Sequence, residues 1–286
     1  MDRAQSLIVV VLLAVFAVFI CVTIVDIDFD LLAFSGYPAL SDIISSVALT
    51  FFAYLGFSVI TFSVGDLADP ARELPKAMYL ALGVTIITYV LISLGVFGTL
   101  TVDEVTGFGE TAIAEAARPT LGEAGFVMMA IAALLATASS VNATLYASGG
   151  LTAMLAKVGQ FPSFFGRESP LGSHAGLLIT SGLVLAVANI VDLSAIASVG
   201  SACSLVIFLL VGISGYRHRH EIGANAAIVL AAITVTAVVL AFFAVDTLQN
   251  EPETFTAIIA IGLLSVILDF IWKRSEPARK GITPNG

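Results

Sequence analysis

Residues 51–76 read FFAYLGFSVITFSVGDLADPARELPK. Aromatic rings surround Ala53 and Gly56, an apolar run continues to Gly65, and a polar segment with two prolines follows. An α-helix needs about twenty apolar residues to cross the hydrocarbon core of a bilayer. Glycine weakens a helix, and proline ends one helix or restricts the start of the next. The stretch therefore predicts a membrane-spanning helix that is weak at its middle and ends sharply at Asp66–Lys76.

The weak point, Phe51–Phe57, has two interpretations. Broken helices occur inside membranes where they line a cavity, and the aromatic rings would then surround that cavity. In the other interpretation the rings only pack together, and Gly56 allows a neighbouring helix to approach closely. Residues 51–57 taken alone do not separate the two.

Working outward from this stretch, the chain contains eight apolar runs, each long enough for a span. They predict an all-α integral membrane protein in which residues 1–286 form one polytopic membrane domain. Only the last run contains a charged residue, Asp269. The runs are Ala4–Val25, Ile43–Gly65, Ala77–Val102, Ala124–Ala156, Ala175–Val191, Leu193–Tyr216, Ile222–Val245 and Thr254–Trp272.

Composition supports the membrane class and excludes others. Hydrophobic residues make up 58% of the chain and charged residues 12%, far below the soluble average of about 25%. A net charge of -9 argues against a nucleic-acid partner. An intramembrane enzyme would need paired carboxylates, histidines or a reactive cysteine in its spans, and their near absence of charge argues against one. We therefore expect no catalytic residues and no metal site, and the bilayer itself as a partner.

Basic residues set the expected orientation. With the amino terminus inside, eleven of the twelve Lys and Arg residues fall on the inner side, and Arg118 is the exception. This positive-inside bias predicts a multi-pass protein of the cell membrane with both termini in the cytoplasm.

The fourth run is rich in small and hydroxyl-bearing residues, among them Ser139, Ser140 and Thr144. Small residues let membrane helices pack closely, and hydroxyls can bond across helices or coordinate an ion. Both tight packing and ion binding are consistent with the pattern.

Residues 51–76, with their aromatic-glycine break and Asp-Pro-Ala-Arg-Glu-Leu-Pro-Lys ending, resemble the sixth span and following loop of the amino acid–polyamine–organocation (APC) family. Thr111–Ala117 and Gly159–Phe165 resemble the family segments before and after its eighth span. The resemblance implies a LeuT-type fold of twelve spans with two inverted five-helix repeats and a midplane site. This chain would hold spans 5 to 12. A missing N-terminal segment or a partner chain would supply spans 1 to 4 and half of the site.

The resemblance also implies roles for individual residues. Phe52 would be an aromatic gate, and backbone groups of Ala53, Tyr54 and Gly56 would meet the amine of the substrate. Ser58 stands where several relatives carry an acid, which argues against a cationic substrate. The implied substrate-binding set is Phe51, Phe52, Ala53, Tyr54, Gly56, Ser58 and Thr144. Ser139 and Ser140 stand where sodium-coupled relatives hold an ion.

Taken together, these expectations describe a secondary amino-acid transporter for neutral or small amino acids. It needs no cofactor beyond a coupling ion, either Na⁺ or H⁺, and the family's span-five lysine, which would indicate H⁺, is absent from Ala4–Val25. The alternative is a non-transporting membrane subunit or sensor that assembles with a partner chain.

Overall fold

The structure is a computed structural model that describes residues 2–33, 37–167 and 175–275. All regular secondary structure in these residues is helical. The α-helices are α1 (Asp2–Val25), α2 (Leu40–Phe51), α3 (Pro70–Phe97), α4 (Val102–Phe108), α5 (Ala112–Ala116), α6 (Arg118–Lys157), α7 (Ala175–Ile190), α8 (Leu193–Arg217), α9 (Ala226–Asn250) and α10 (Pro252–Ser275). Segments of 3₁₀ helix lie at Phe52–Asp66, Gly109–Thr111 and Ser163–Gly166.

Among the described residues, 6 helices are long and apolar enough to cross a bilayer. They lie in α1, α3, α6, α8, α9 and α10. Spanning structures must satisfy their backbone hydrogen bonds internally, and helices of this length do so. The chain is therefore an all-α, multi-pass integral membrane protein, as the sequence predicted.

The predicted count of eight spans is not confirmed, because the runs Ile43–Gly65 and Ala175–Val191 do not form long α-helices. The first is divided between α2 and the 3₁₀ segment Phe52–Asp66. The second forms α7, whose 16 residues rise about 24 Å, which is less than the roughly 30 Å hydrocarbon core. Both are apolar, but by length alone neither α-helix qualifies as a span.

Helix α3 begins at Pro70, earlier than the predicted restart at Ala77. Proline suits the first position of a helix because its missing N–H would have no partner there and its φ is already helical. Pro75 lies inside the helix, one turn further on, without ending it. The polar connection is consequently short, Leu67–Asp69 between the 3₁₀ segment and α3.

The helices group into two compact units. The first unit contains Met1–Pro38 and Tyr54–Ile190, and the second contains Ala39–Ala53 and Val191–Gly286. The division passes through the second apolar run between Ala53 and Tyr54, just after the end of α2.

The core of the first unit forms where α1, α3, α5 and α6 meet. Phe19 is fully buried there, with Ile92, Val96, Ala116 and Met129 around it. Three alanines of the short helix α5 are buried, which explains how this helix packs closely on α6.

Polar contacts fix the corner that leads into α6. Thr101 and Glu104 form a capping box at the start of α4, and these hydrogen bonds hold the pKa of Glu104 below its ordinary value.

The Arg118 guanidinium donates to Glu115 at 2.8 Å, pairs with Glu123 and lies 4.4 Å from the centre of the Phe126 ring. These contacts give Arg118 a structural role.

The second unit packs α8 and α9 together, with α2 and α10 against them. Its core contains Ala202, Leu205 and Phe243, which are all buried. Phe51, the last residue of α2, packs against this core.

One glycine sets the separation of α1 and α3. A Cβ atom on Gly95 would collide with the Oγ1 atom of Thr23, which is itself buried and donates to the Phe19 carbonyl at 2.9 Å. Without a hydrophobic driving force between membrane helices, such close packing is a main source of their association.

We expect Gly95→Ala to lower the free energy of unfolding by about 1 to 3 kcal/mol, the usual cost of overpacking. Thr23→Ala in the same chain should restore part of the loss, because it removes the colliding atom. The measurement is a double-mutant cycle of unfolding in mixed micelles. Additive effects of the two substitutions would show that this contact does not set the helix separation.

Candidate functional site

The regular α-helix ends at Phe51, and a 3₁₀ helix of 15 residues follows. Long 3₁₀ stretches are uncommon because their hydrogen-bond geometry is poorer, and they often mark a hinge or strain. Two hydroxyls accompany the change: Ser58 donates to the Leu55 carbonyl at 2.8 Å and Thr61 donates to the Ser58 carbonyl at 2.6 Å. The helix thus becomes irregular at the aromatic-glycine stretch where the sequence predicted a weak point.

In the second unit, the two phenylalanines at this junction contact α8. The rings of Phe51 and Phe208 meet edge to face, with centroids 5.9 Å apart. The Phe52 ring lies over Gly200, where a Cβ atom would come within 2.5 Å of the ring carbon Cε2. Phe208 and Gly200 were not found from the sequence, because nothing in α8 alone indicates which of its residues face α2.

In the first unit, Tyr54 pairs with Tyr89 of α3, and the ring centroids are 5.2 Å apart. Both tyrosines line a cavity of about 450 Å³, called the tyrosine cavity below, which is within the size range of small-molecule sites. Its lining residues are Leu31, Leu32, Ala33, Tyr37, Pro38, Tyr54, Tyr89, Val90, Ser93, Leu94, Phe97 and Val102.

Among the described residues of this lining, hydroxyls are the only side-chain polar groups, and no charged residue contributes. The hydroxyls belong to Tyr37, Tyr54, Tyr89 and Ser93. Such a cavity can hold an apolar group and orient a polar one by hydrogen bonds. It offers no opposite charge to a ligand with a charged side chain.

The other residues predicted around Tyr54 do not line this cavity. Gly56 is exposed, and a Cβ atom there would meet nothing within 4 Å. Ala53 is exposed, and the hydroxyl of Ser58 is directed back to its own helix. Of the predicted substrate residues, the cavity therefore includes Tyr54, and it adds Tyr37, Tyr89 and Ser93.

The hydroxyl-rich helix α6 places its three predicted residues differently. Ser139 is buried and accepts a hydrogen bond from the Gln5 side-chain amide of α1. Ser140 and Thr144 are exposed and do not line the tyrosine cavity. Gln5 was not singled out from the sequence, although a glutamine in an otherwise apolar run is a signal for a polar partner in another helix.

The described residues contain no cluster of three or more His, Cys, Asp or Glu side chains that could hold a metal ion.

The contact between the Phe52 ring and Gly200 can be tested by substitution. Gly200→Ala should lower stability by about 1 to 3 kcal/mol because the methyl group would displace the Phe52 ring. Gly215→Ala is the matched control: it lies on the same helix with open space around it, so it should be neutral or gain up to about 1 kcal/mol from helix propensity. Unfolding midpoints in detergent check both. Equal losses of stability in the two variants would contradict a close contact between Phe52 and Gly200.

A second prediction concerns the polar link between α1 and α6. Gln5→Ala and Ser139→Ala should each cost about 0.6 kcal/mol and at most roughly 1.7 kcal/mol, the measured range for hydrogen bonds between membrane helices. Ser140→Ala, at an exposed neighbouring position, should change little. Unfolding titrations of the three variants provide the test, and a Ser140→Ala loss as large as that of Ser139→Ala would contradict it.

Comparison with known proteins places the chain in a family. Residues 1–266 match the family described as "Amino acid permease". The uncharacterized protein MJ0609 of Methanocaldococcus jannaschii is 32% identical over 95% of this chain and 63% of its own length. The inner membrane transport protein YbaT of Escherichia coli is 30% identical over 85% of this chain and 56% of its own length. Human solute carrier family 7 member 13 is 27% identical over 64% of this chain and 39% of its own length.

The chain spans less than two thirds of the length of these relatives. The match nevertheless extends over nearly all of the chain, including the irregular helix, the tyrosine cavity and the hydroxyl-rich α6. This chain therefore belongs to the amino acid permease family of the APC superfamily.

Proposed function

We propose that the chain, together with further helices, forms a secondary transporter that moves neutral amino acids across the plasma membrane. The observation that carries the proposal is the tyrosine-lined cavity, whose Tyr54 belongs to the irregular segment Phe52–Asp66. Family membership supports it, as does the naming of the similar protein YbaT as a transport protein. Because these relatives are longer than this chain, the transport activity of the whole protein is itself proposed.

The lining of the cavity favours a substrate whose side chain is neutral. A charge taken out of water needs an opposite charge or coordinating groups nearby, since the desolvation penalty is otherwise large. The described residues of the cavity offer hydroxyls and apolar surface only. The family resemblance adds that Ser58 would stand where several relatives carry an acid. A small or apolar amino acid, whose own charges lie on its amine and carboxylate, fits this chemistry.

The amine of the substrate would be met by backbone groups of the irregular segment. In a 3₁₀ helix the backbone hydrogen bonds are less well aligned than in an α-helix, which leaves carbonyl groups more available to a ligand. We propose Ala53, Tyr54 and Gly56 for these contacts. Phe51 and Phe52 would flank them, with Phe52 as an aromatic gate, and Gly200 would keep space for its ring.

The coupling ion is proposed at α6. Ser139 and Ser140 would contribute hydroxyl oxygens to a Na⁺ site, and Thr144 would contact the substrate. The Gln5 amide already donates to Ser139 and so uses one of the two lone pairs of that hydroxyl oxygen, which leaves the second for an ion.

In this proposal the architecture is a LeuT-type fold in which this chain supplies spans 5 to 12 and a preceding segment or a partner chain supplies spans 1 to 4. Both termini lie in the cytoplasm. The second span is then the continuous helix of α2 and Phe52–Asp66, and α7 is a short fifth span of the chain. Access would alternate by rocking around the midplane site.

The direct test is uptake by protein extracted in mild detergent from its own membrane, so that any accompanying segment is retained, and reconstituted into liposomes. Radiolabelled alanine and leucine should accumulate, whereas lysine and glutamate should not. Tyr89→Phe should raise the KM for leucine about threefold to tenfold, as expected for the loss of one hydrogen bond. Tyr79→Phe is the matched control, since this exposed tyrosine lies on the same helix outside the cavity.

Each outcome separates the hypotheses. Lysine uptake at the rate of leucine would contradict the neutral substrate, and an unchanged KM in Tyr89→Phe would contradict the cavity as the site. Saturable binding of leucine without accumulation, in a preparation that keeps its partners, would favour the alternative of a non-transporting subunit or sensor.

A further inference from the structure

A second cavity, in the second unit, has a different character from the tyrosine cavity. It is a groove of about 660 Å³ between α8, α9 and α10, and its lining exposes no polar surface. Buried Ala202, Phe243 and Thr247 form its floor, and exposed aliphatic side chains such as Ile207 and Leu263 form its sides. All three helices are long and apolar enough to cross the bilayer, so the groove lies at membrane depth.

The groove runs from the connection between α9 and α10 towards the middle of the membrane. Helix α9 contributes Leu240–Thr247, near its carboxyl end, and α10 contributes Phe255–Leu263, near its start. Helix α8 contributes Ala202–Ile207, which lie at its middle. The stretches of α9 and α10 rise about 10 to 12 Å. One end of the groove is therefore near the α9–α10 connection.

Helix α10 buries little of its surface within the second unit. The most apolar window of Pro252–Ile271 contains no buried residue, although α10 packs against α8 and α9. Atoms that line an empty space lose their van der Waals contacts on that side. A flexible apolar chain in the groove would supply those contacts.

The small residues of the groove argue against a second helix as the occupant. Close helix pairs in membranes use small residues four positions apart, so that two backbones can approach. Gly262 has Ile258 and Val266 at these positions, and Ala244 has Leu240 and Leu248. Large side chains thus flank these two small residues and keep a second backbone away from α9 and α10, whereas the small pair Ser198 and Ala202 of α8 is already buried within the unit.

Charge distinguishes the end of the groove. The residues around the α9–α10 connection are Asp246, Asn250, Glu251 and Glu253, and Asn250 donates to the Asp246 carboxylate at 2.8 Å. Arg217 is the last residue of α8 and Arg219 follows it, so both lie near the start of α9, at the opposite end of that helix from the α9–α10 connection. An anionic headgroup would be repelled at the acidic end, and a headgroup with an exposed cationic amine would be attracted.

We propose that this groove binds one acyl chain of a phospholipid with a zwitterionic headgroup, whose amine lies next to the acidic residues of the α9–α10 connection. The lipid fills the space between the three helices and holds α10 against α8 and α9. The site is independent of the tyrosine cavity, which belongs to the first unit.

The test uses the full chain in nanodiscs of phosphatidylcholine that contain a small share of phosphatidylcholine with a photoreactive diazirine in one acyl chain. After illumination, peptide mapping should find adducts concentrated on Ala202–Ile207 and Phe255–Leu263. Gly262→Phe should reduce these adducts by filling the groove. Gly215→Phe, at a glycine of α8 with open space that does not line the groove, should leave them unchanged.

Competition gives a second readout that does not depend on how the variant folds. With the same small share of photoreactive lipid, nanodiscs whose bulk lipid is unlabelled phosphatidylglycerol should give about three times as many groove adducts as those of unlabelled phosphatidylcholine, because the anionic lipid competes less well at exposed charges. Glu251→Gln with Glu253→Gln should remove this difference. Adducts spread evenly over α1 and α8–α10, equal competition by both lipids, or crosslinks between two copies at the groove would each overturn the proposal.

Discussion

Backbone N–H and C=O groups inside a bilayer have no water to bond, and this constraint governs every part of the chain that crosses the membrane. It explains why the described regular structure is helical. It also limits how the chain can become irregular. At Phe52 the helix changes type, from α to 3₁₀, and so keeps a hydrogen-bonded backbone while its pitch and side-chain directions change.

Packing between the helices rests on glycines opposite larger side chains. The Thr23 side chain packs on Gly95 between α1 and α3, and the Thr152 side chain packs on Gly176 between α6 and α7. The Phe52 ring packs on Gly200 in the same way. Lipid tails are as apolar as leucine, so close packing and a few polar contacts replace the hydrophobic effect in holding membrane helices together. The bond between Gln5 and Ser139 is one such polar contact, and it connects α1 to the hydroxyl-rich face of α6.

The two cavities show how the same apolar chain can present different chemistry. The tyrosine cavity of the first unit adds hydroxyls to an apolar lining, which suits a small molecule that carries polar groups. The groove of the second unit exposes only apolar surface, which suits a hydrocarbon chain. Among the described residues neither lining includes a charged side chain, so a charged group placed in either would be opposed by the cost of its desolvation rather than by repulsion.

The sequence by itself determined the membrane class, the long apolar helices and the family, because span length and the aromatic-glycine and proline pattern are local properties of the chain. It also located the weak point near Phe52, since glycine and aromatic residues reveal it without knowledge of the neighbours. Tertiary structure alone decided that Tyr54 pairs with Tyr89, that Phe52 lies over Gly200 and that Gln5 bonds Ser139. These partners are far apart in sequence, and helix periodicity does not state which face of one helix meets which neighbour. For the same reason the start of α3 and the division of the run Ile43–Gly65 into two helix types differed from expectation, since hydropathy marks where a chain is apolar but not where its backbone hydrogen bonds begin and end.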